Sequence, residues 1–345
     1  MVIVHKGFLL NQWIERIEEF APDVRIGRIQ GQIIDIEDKD IVIGMLQSLS
    51  MKDYPSTMFD SFGLTIVDEC HHISSDVFSR SLTKIVTPYT LGLSATMDRK
   101  DGLTHVFKMF LGDIVYAMKR ESEDNVLVKA ITYESNDAEF EEVVYDYRGN
   151  PQYSTMITKL CDYNHRTEFI LKVIKKEMDD YPNQQIMILG QNKSVLKYVY
   201  DAVSHRKMFT VGYYIGGMKE KDLADSENKQ VIVATYAMAA EGLDIKSLTT
   251  LMLVTPRTDI TQAVGRILRV KRDRPLVIDI VDTHDLFKRQ FKKRATFYKK
   301  NNYTVLTTDS SKYLKDEWEE MKKRGKKTSK KVNDLPDVGK CMLTL

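Results

Sequence analysis

Three groups of residues in this chain have the types and spacing of a site that handles phosphate. The first is Asp68-Glu69, two adjacent carboxylates that end the apolar run Leu64 to Val67 and precede Cys70, His71 and His72. Carboxylates at the C-terminal end of a parallel strand sit where open α/β sheets bind their ligands. Two such acids can divide the work, Asp68 holding Mg2+ through water and Glu69 orienting and deprotonating an attacking water. An isolated Asp-Glu pair can also be read, less often, as the N-cap of a following helix.

The pair has company. Another apolar run is followed by Ser94, Ala95 and Thr96, then Arg99, Lys100, Asp101 and Gly102. Small hydroxyl side chains after a strand can relay a change at a bound ligand to the far end of the sheet. The third group is Gln262, Arg266 and Arg269, whose spacings of four and three put them on one helical face. Arginines facing a nucleotide stabilise charge on a transferring phosphoryl group. Alone, such a pair of arginines is as well explained by a solvated basic face; the three groups together favour phosphoryl chemistry.

These residues need elements to position them. Short apolar runs at Val2 to Val4, Ile41 to Met45, Leu64 to Val67 and Thr90 to Leu93 alternate with amphipathic stretches. The pattern resumes at Ile186 to Leu189, Val231 to Ala234, Leu251 to Val254 and Leu276 to Ile280. Runs apolar on both faces are what strands of covered parallel sheets look like, so an α/β fold with two parallel sheets in tandem is expected. Between the series, Glu121 to Arg148 carries the acidic stretch ESNDAEFEE and a turn-like RGNP, which suits an inter-domain crossing. The expected domains are 1–125 and 126–308, with 309–345 a basic flexible tail. The basic, aromatic run Phe287 to Lys300 reads as a helix packed on the second domain.

Composition sets outer bounds. With 51 Lys and Arg against 49 Asp and Glu, the net charge of +2 announces no nucleic-acid partner, so a basic footprint must be local. Cys70, Cys161 and Cys341 are far apart and form no C-x-x-C pair, which suits reduced thiols better than zinc. The apolar start MVIVHKGFLL is broken by His5 and Lys6 and is not a secretory signal, and no segment approaches the ~20 apolar residues of a membrane span. An intracellular, soluble protein without membrane contact is expected.

VDECHH, LSATMDRKDG, VATYAMAAEGLDI and QAVGRILR resemble motifs II, III, V and VI of superfamily 2 helicases. VIVHKGFLLNQW looks like motif Ia, DIVIGMLQSL like the strand before motif II, and MILGQNKSVL like motif IV. More narrowly, the DECH box with RKDG and GRILR resembles the DNA helicase group of XPB, UvsW and the transcript-release helicases of large DNA viruses. The resemblance implies two RecA-like domains, ATP and Mg2+ as cofactors, and Asp68 and Glu69 serving magnesium and water. It implies that His71 and Gln262 couple the domains, with Ser94 and Thr96 relaying between them. Gly242, Asp244 and Gln262 would lie near the nucleotide, with Arg266 and Arg269 as finger arginines. Lys6, Gln47, Ser48 and Thr235 would face the nucleic-acid backbone. DNA is implied by the motif combination; RNA stays open, because backbone contacts carry no sequence and do not distinguish the sugar.

One family feature is absent from these 345 residues: a G-x-x-x-x-G-K-S/T loop to cradle phosphates. Gly339-Lys340 and Gly325-Lys326 lack its frame. In the family that loop lies upstream of motif Ia, so the first RecA-like domain is expected to lack its phosphate-loop strand and helix. Truncation accounts for this better than decay. Bared apolar surface and two strand edges are the expected consequences, and with them poor solubility or binding of a fragment that supplies the loop; a split gene and an incomplete gene model are the two competing explanations. A non-catalytic clamp on nucleic acid is the competing class.

Overall fold

The computed structural model describes residues 1–55, 57–70, 76–94, 104–117, 126–241, 245–267 and 275–321. Its strands form two sheets. The first contains β1 (Val2–Val4), β2 (Ile26–Gln30), β3 (Ile33–Asp35), β4 (Ile41–Met45), β5 (Leu64–Val67) and β6 (Tyr89–Gly92), in the order β3-β2-β4-β1-β5-β6. Every pairing is parallel except that of β3, which returns antiparallel on β2.

The alternation of side chains along β1 makes both faces of this sheet apolar. Val2 and Val4 join Ile43, Leu9, Leu10 and Ile17 on one face, covered by the helix Gly7–Phe20. Met1 and Ile3 join Val42, Val67, Leu46 and Leu49 on the other. Each such side chain taken fully out of water contributes about 1.5–3 kcal/mol. Gly44 permits the second face to close, since a Cβ there would lie 2.8 Å from both Leu49 Cδ1 and Met1 Cε.

The second sheet contains β7 (Leu127–Tyr133), β8 (Ile186–Gly190), β9 (Val211–Tyr214), β10 (Val231–Thr235), β11 (Thr250–Leu253), β12 (Leu276–Asp282), β13 (Thr304–Asp309) and β14 (Glu319–Glu320). Their order is β14-β13-β7-β12-β11-β8-β10-β9, parallel throughout except for β14 on β13. β8, β11 and β12 are buried along their whole length. The tandem α/β architecture matches the sequence expectation.

Two details differ from it. The span 121–148 is not only a crossing, because β7 lies within it and pairs with β12 and β13 in the sheet interior. Its buried Lys129 disguises the run: Nζ meets both carboxylate oxygens of Glu177 at 2.6 and 2.7 Å, so the charge is paired. The residues from 309 onward do not leave the fold at once. A turn at Tyr313–Lys315 and β14 close the sheet, with Tyr313 fully buried and its hydroxyl donating to Glu177. The run Phe287 to Lys300 lies in the helix Asp285–Lys300, whose Phe287 and Tyr298 are buried core rather than stacking surface.

Candidate active site and nucleic-acid interface

In the first sheet β4, β1, β5 and β6 are consecutive and parallel, so their C-terminal ends form one rim. Along that rim the chain places Gln47 and Ser48 after β4, Lys6 after β1, Asp68 and Glu69 after β5, and Ser94 after β6. Residues distant in sequence are thereby brought side by side, in the crevice where open parallel sheets take ligands.

Asp68 is held at both oxygens. The Glu69 backbone N–H donates to Oδ1 at 2.9 Å and the Trp13 indole N–H donates to Oδ2 at 3.0 Å. Glu69 turns the chain with a φ of 48°, the left-handed region that side chains other than glycine rarely adopt. Cys70 lies buried under this turn, its thiol pushed up to about 11 by burial and by the neighbouring Glu69 carboxylate. A thiol held in that state is a poor nucleophile.

Lys6 is half-buried at the mouth of the rim, and burial lowers its pKa. Gln47 donates to the His5 carbonyl at 2.6 Å, tying the turn after β4 to the turn after β1. Ser48 Oγ accepts from the Gly31 N–H at 2.9 Å. Gln47 therefore braces the turn that carries Lys6, and Ser48 braces the turn between β2 and β3.

In the second lobe Thr235 ends β10, and its hydroxyl accepts from the Met238 N–H at the start of the helix Tyr236–Glu241. Gln262 is half-buried on the helix Thr261–Ile267, one turn before Arg266. Beside them Arg257 lies over the Tyr236 ring, 5.0 Å from its centroid. His71, Thr96, Gly242, Asp244 and Arg269 lie outside the described residues. Trp13 carried no signal of its own in the sequence, where an aromatic on an amphipathic helix reads as core. Only its place on the helix that follows Lys6 hints at the rim.

Magnesium takes oxygen ligands and is commonly held by one or two carboxylates plus waters and substrate phosphates. A half-buried Asp68 at a strand end fits that need, and Glu69 stands beside it. When bound, the ion would supply charge neutralisation at phosphate oxygens.

Two parallel α/β lobes in tandem, the first with acids on its strand-end rim, define the class of tandem RecA-like proteins. The family described as type III restriction enzyme, res subunit, matches residues 1–99, and the helicase conserved C-terminal domain matches residues 167–274. A protein of Acanthamoeba polyphaga mimivirus, named as an ATP-dependent RNA helicase, is 36% identical over 98% of this chain. One of African swine fever virus, similarly named, is 26% identical over 90%. The chain spans 66% and 65% of these relatives' lengths. In fold it is similar to S. cerevisiae Dbp5, solved with RNA and ADP BeF3, with a TM-score of 0.58, 10% identity and coverage of 91% of this chain and 78% of that one. Mss116p, bound to ssRNA and AMP-PNP, gives 0.57 at 14% identity, covering 84% and 61%. The chain belongs to the superfamily 2 helicases, a family of ATP-dependent enzymes.

Proposed function

We propose that this chain is most of the motor of an ATP-driven DNA helicase or translocase. The observation that carries the proposal is the shared rim, where Lys6 stands between the backbone-facing turn at Gln47 and Ser48 and the acids Asp68 and Glu69. Phosphate contacts by Lys6, Gln47, Ser48 and Thr235 position a strand without reading its sequence. Asp68 would hold Mg2+ through water, which would supply charge neutralisation at the phosphates, and Glu69 would accept a proton from the attacking water. Arg266 and Arg269 stabilise charge on the transferred phosphoryl group, and Gly242, Asp244 and Gln262 border the nucleotide. His71, Ser94, Thr96 and Gln262 couple that site to the backbone grip, so that closure and reopening of the lobes displaces the grip.

In this reading a segment supplied in trans carries the phosphate loop. Its docking place is the side of β6 on which no strand pairs among the described residues. There a groove of 570 Å3 runs between Thr90–Ser94 and the extended stretch 112–117, with Cys70 and Leu111 at its floor. Tyr89, Val115 and Tyr116 are exposed beside it. Unpaired strand edges of this kind accept an added strand.

RNA is the second reading, favoured by the names of the viral relatives. The test is ATP hydrolysis by the chain with and without a segment carrying the phosphate loop, in the presence of single-stranded DNA, duplex DNA or RNA. Hydrolysis only in the mixture, stimulated most by DNA and abolished by Glu69→Gln, is expected. Greater stimulation by RNA reassigns the substrate. Nucleic-acid binding with no hydrolysis in any mixture leaves a non-catalytic clamp.

A further inference from the structure

The link between the helix Gly7–Phe20 and the end of β5 has no role in the scheme above. We infer that Trp13 is a positioning residue for Asp68, through which the Lys6 side of the rim sets the orientation of the metal-holding carboxylate. The inference rests on the proposed ATP-driven motor.

A carboxylate on an aspartate can rotate about its terminal torsion, a broad and nearly two-fold well. At Asp68 that freedom is removed by two donors, one on each oxygen: the Glu69 backbone N–H on Oδ1 and the Trp13 indole N–H on Oδ2. The first belongs to the same turn as Asp68 and moves with it. The second comes from another element, so it alone refers the carboxylate to the rest of the lobe. Trp13 has little latitude of its own, because its ring packs with Leu9, Leu10 and Ile17 against Val2, Val4 and Ile43.

The indole has one donor and no acceptor, so its preferred partner at this place is the charged oxygen. It leaves the other lone pairs of Asp68 directed away from the helix, available to water on a cation. The helix bearing Trp13 starts at Gly7, directly after Lys6. A displacement of that helix when Lys6 takes a backbone phosphate therefore shifts the donor on Oδ2. Partners that orient a metal-holding group commonly change metal affinity about 10–100-fold when removed.

The chain has only two tryptophans, Trp13 and Trp318. A tryptophan-labelled sample of the whole chain thus gives two indole N–H signals, and Trp13→Phe assigns them by loss of one. Mg2+ alone is expected to move the Trp13 signal and leave that of Trp318 in place; an unmoved Trp13 signal at saturating Mg2+ overturns the inference. Mn2+ binding, read by the paramagnetic resonance of the free ion, should weaken about tenfold in Trp13→Phe while the thermal midpoint stays at that of the parent. Equal Mn2+ affinity in a folded Trp13→Phe chain also overturns it. A single-stranded oligonucleotide should move the same indole signal. Binding of the oligonucleotide without that movement refutes the link from Lys6, whereas failure to bind at all counts against the nucleic-acid motor itself.

Discussion

The two lobes share an architecture and differ in how they end. In the second sheet both edges are covered or blunted. β14 is two glutamates long, and β9 lies under the helix Glu220–Glu227, so close that a Cβ on Gly212 would sit 2.8 Å from Ser226. Short, charged or covered edges prevent strand addition. In the first sheet β6 packs against the helix Thr104–Leu111, where a Cβ on Gly92 would lie 2.6 Å from Leu111 Cδ1, but no further strand pairs with it among the described residues and its Tyr89 is 72% exposed. The described edges of the second sheet are short, charged or covered, whereas β6 leaves Tyr89 and Leu91 exposed at its edge.

The interiors differ in the same sense. Three charged networks are buried in the second lobe: Lys129 with Glu177 and Tyr313, Arg166 with Asp282, and Arg294 with Asp279 and Tyr298. Arg166 donates to both oxygens of Asp282 at 2.5 and 2.9 Å and to the Val254 carbonyl at 2.8 Å. It thereby joins the helix Asn164–Asp180 to the ends of β11 and β12. Burial alone would lower the Arg166 pKa, but Asp282 raises it. In the first lobe the buried described residues gather mainly into two apolar clusters.

The sharpest test of this contrast is Arg166→Met. Leaving Asp282 buried without its partner should cost the second lobe about 3–5 kcal/mol in denaturant unfolding, and adding Asp282→Leu should recover most of it. A loss below 1 kcal/mol would mean that apolar packing carries this lobe too. Ile3→Ala, at the centre of the first sheet, should cost about 2–4 kcal/mol in the first lobe and leave the second lobe's unfolding midpoint in place. A common shift of both transitions would show the lobes unfolding as one unit.

Leu91→Lys on the open edge should change stability by no more than about 0.5 kcal/mol. It should still reduce self-association in sedimentation and block capture of an added strand, because charge on an edge opposes pairing. The smallest effect belongs to Glu168. Hydrogen bonds from Arg206, against some cost of burial, hold its carboxyl at about 2, below the usual 4.5. A carboxyl depressed in the folded state adds stability that is present above pH 4.5 and lost as pH falls toward 2. This exposed pair contributes under about 1 kcal/mol, so Glu168→Gln should slightly flatten the acid limb of second-lobe stability and leave its neutral value nearly unchanged.

What could be read in advance follows from which strands are apolar on both faces. β1, β4, β5, β6, β8, β10, β11 and β12 coincide with apolar runs, and all eight are legible in the sequence. β2 and β3 are not, because Arg28 and Asp35 interrupt them, and β13 is hidden by its threonines. β7 is hidden by a lysine whose partner, Glu177, is far along the chain and is found only once the fold brings them together. Within the site, Asp68 and Glu69 stand out because adjacent acids closing an apolar run are rarely needed for packing. Trp13 does not, because its role depends on one hydrogen bond to another element rather than on residue type or spacing.

Glu69 carries its strain in the backbone, not in the carboxylate. A left-handed conformation at a non-glycine residue costs on the order of 1–3 kcal/mol, so part of the fold's stability is committed to aiming this side chain. On the proposed mechanism, Glu69→Gln keeps that commitment and removes only the base, whereas Glu69→Gly releases it and removes both. The position is then a dial between robustness and turnover: replacements that suit the turn best are those that would abolish the proposed chemistry.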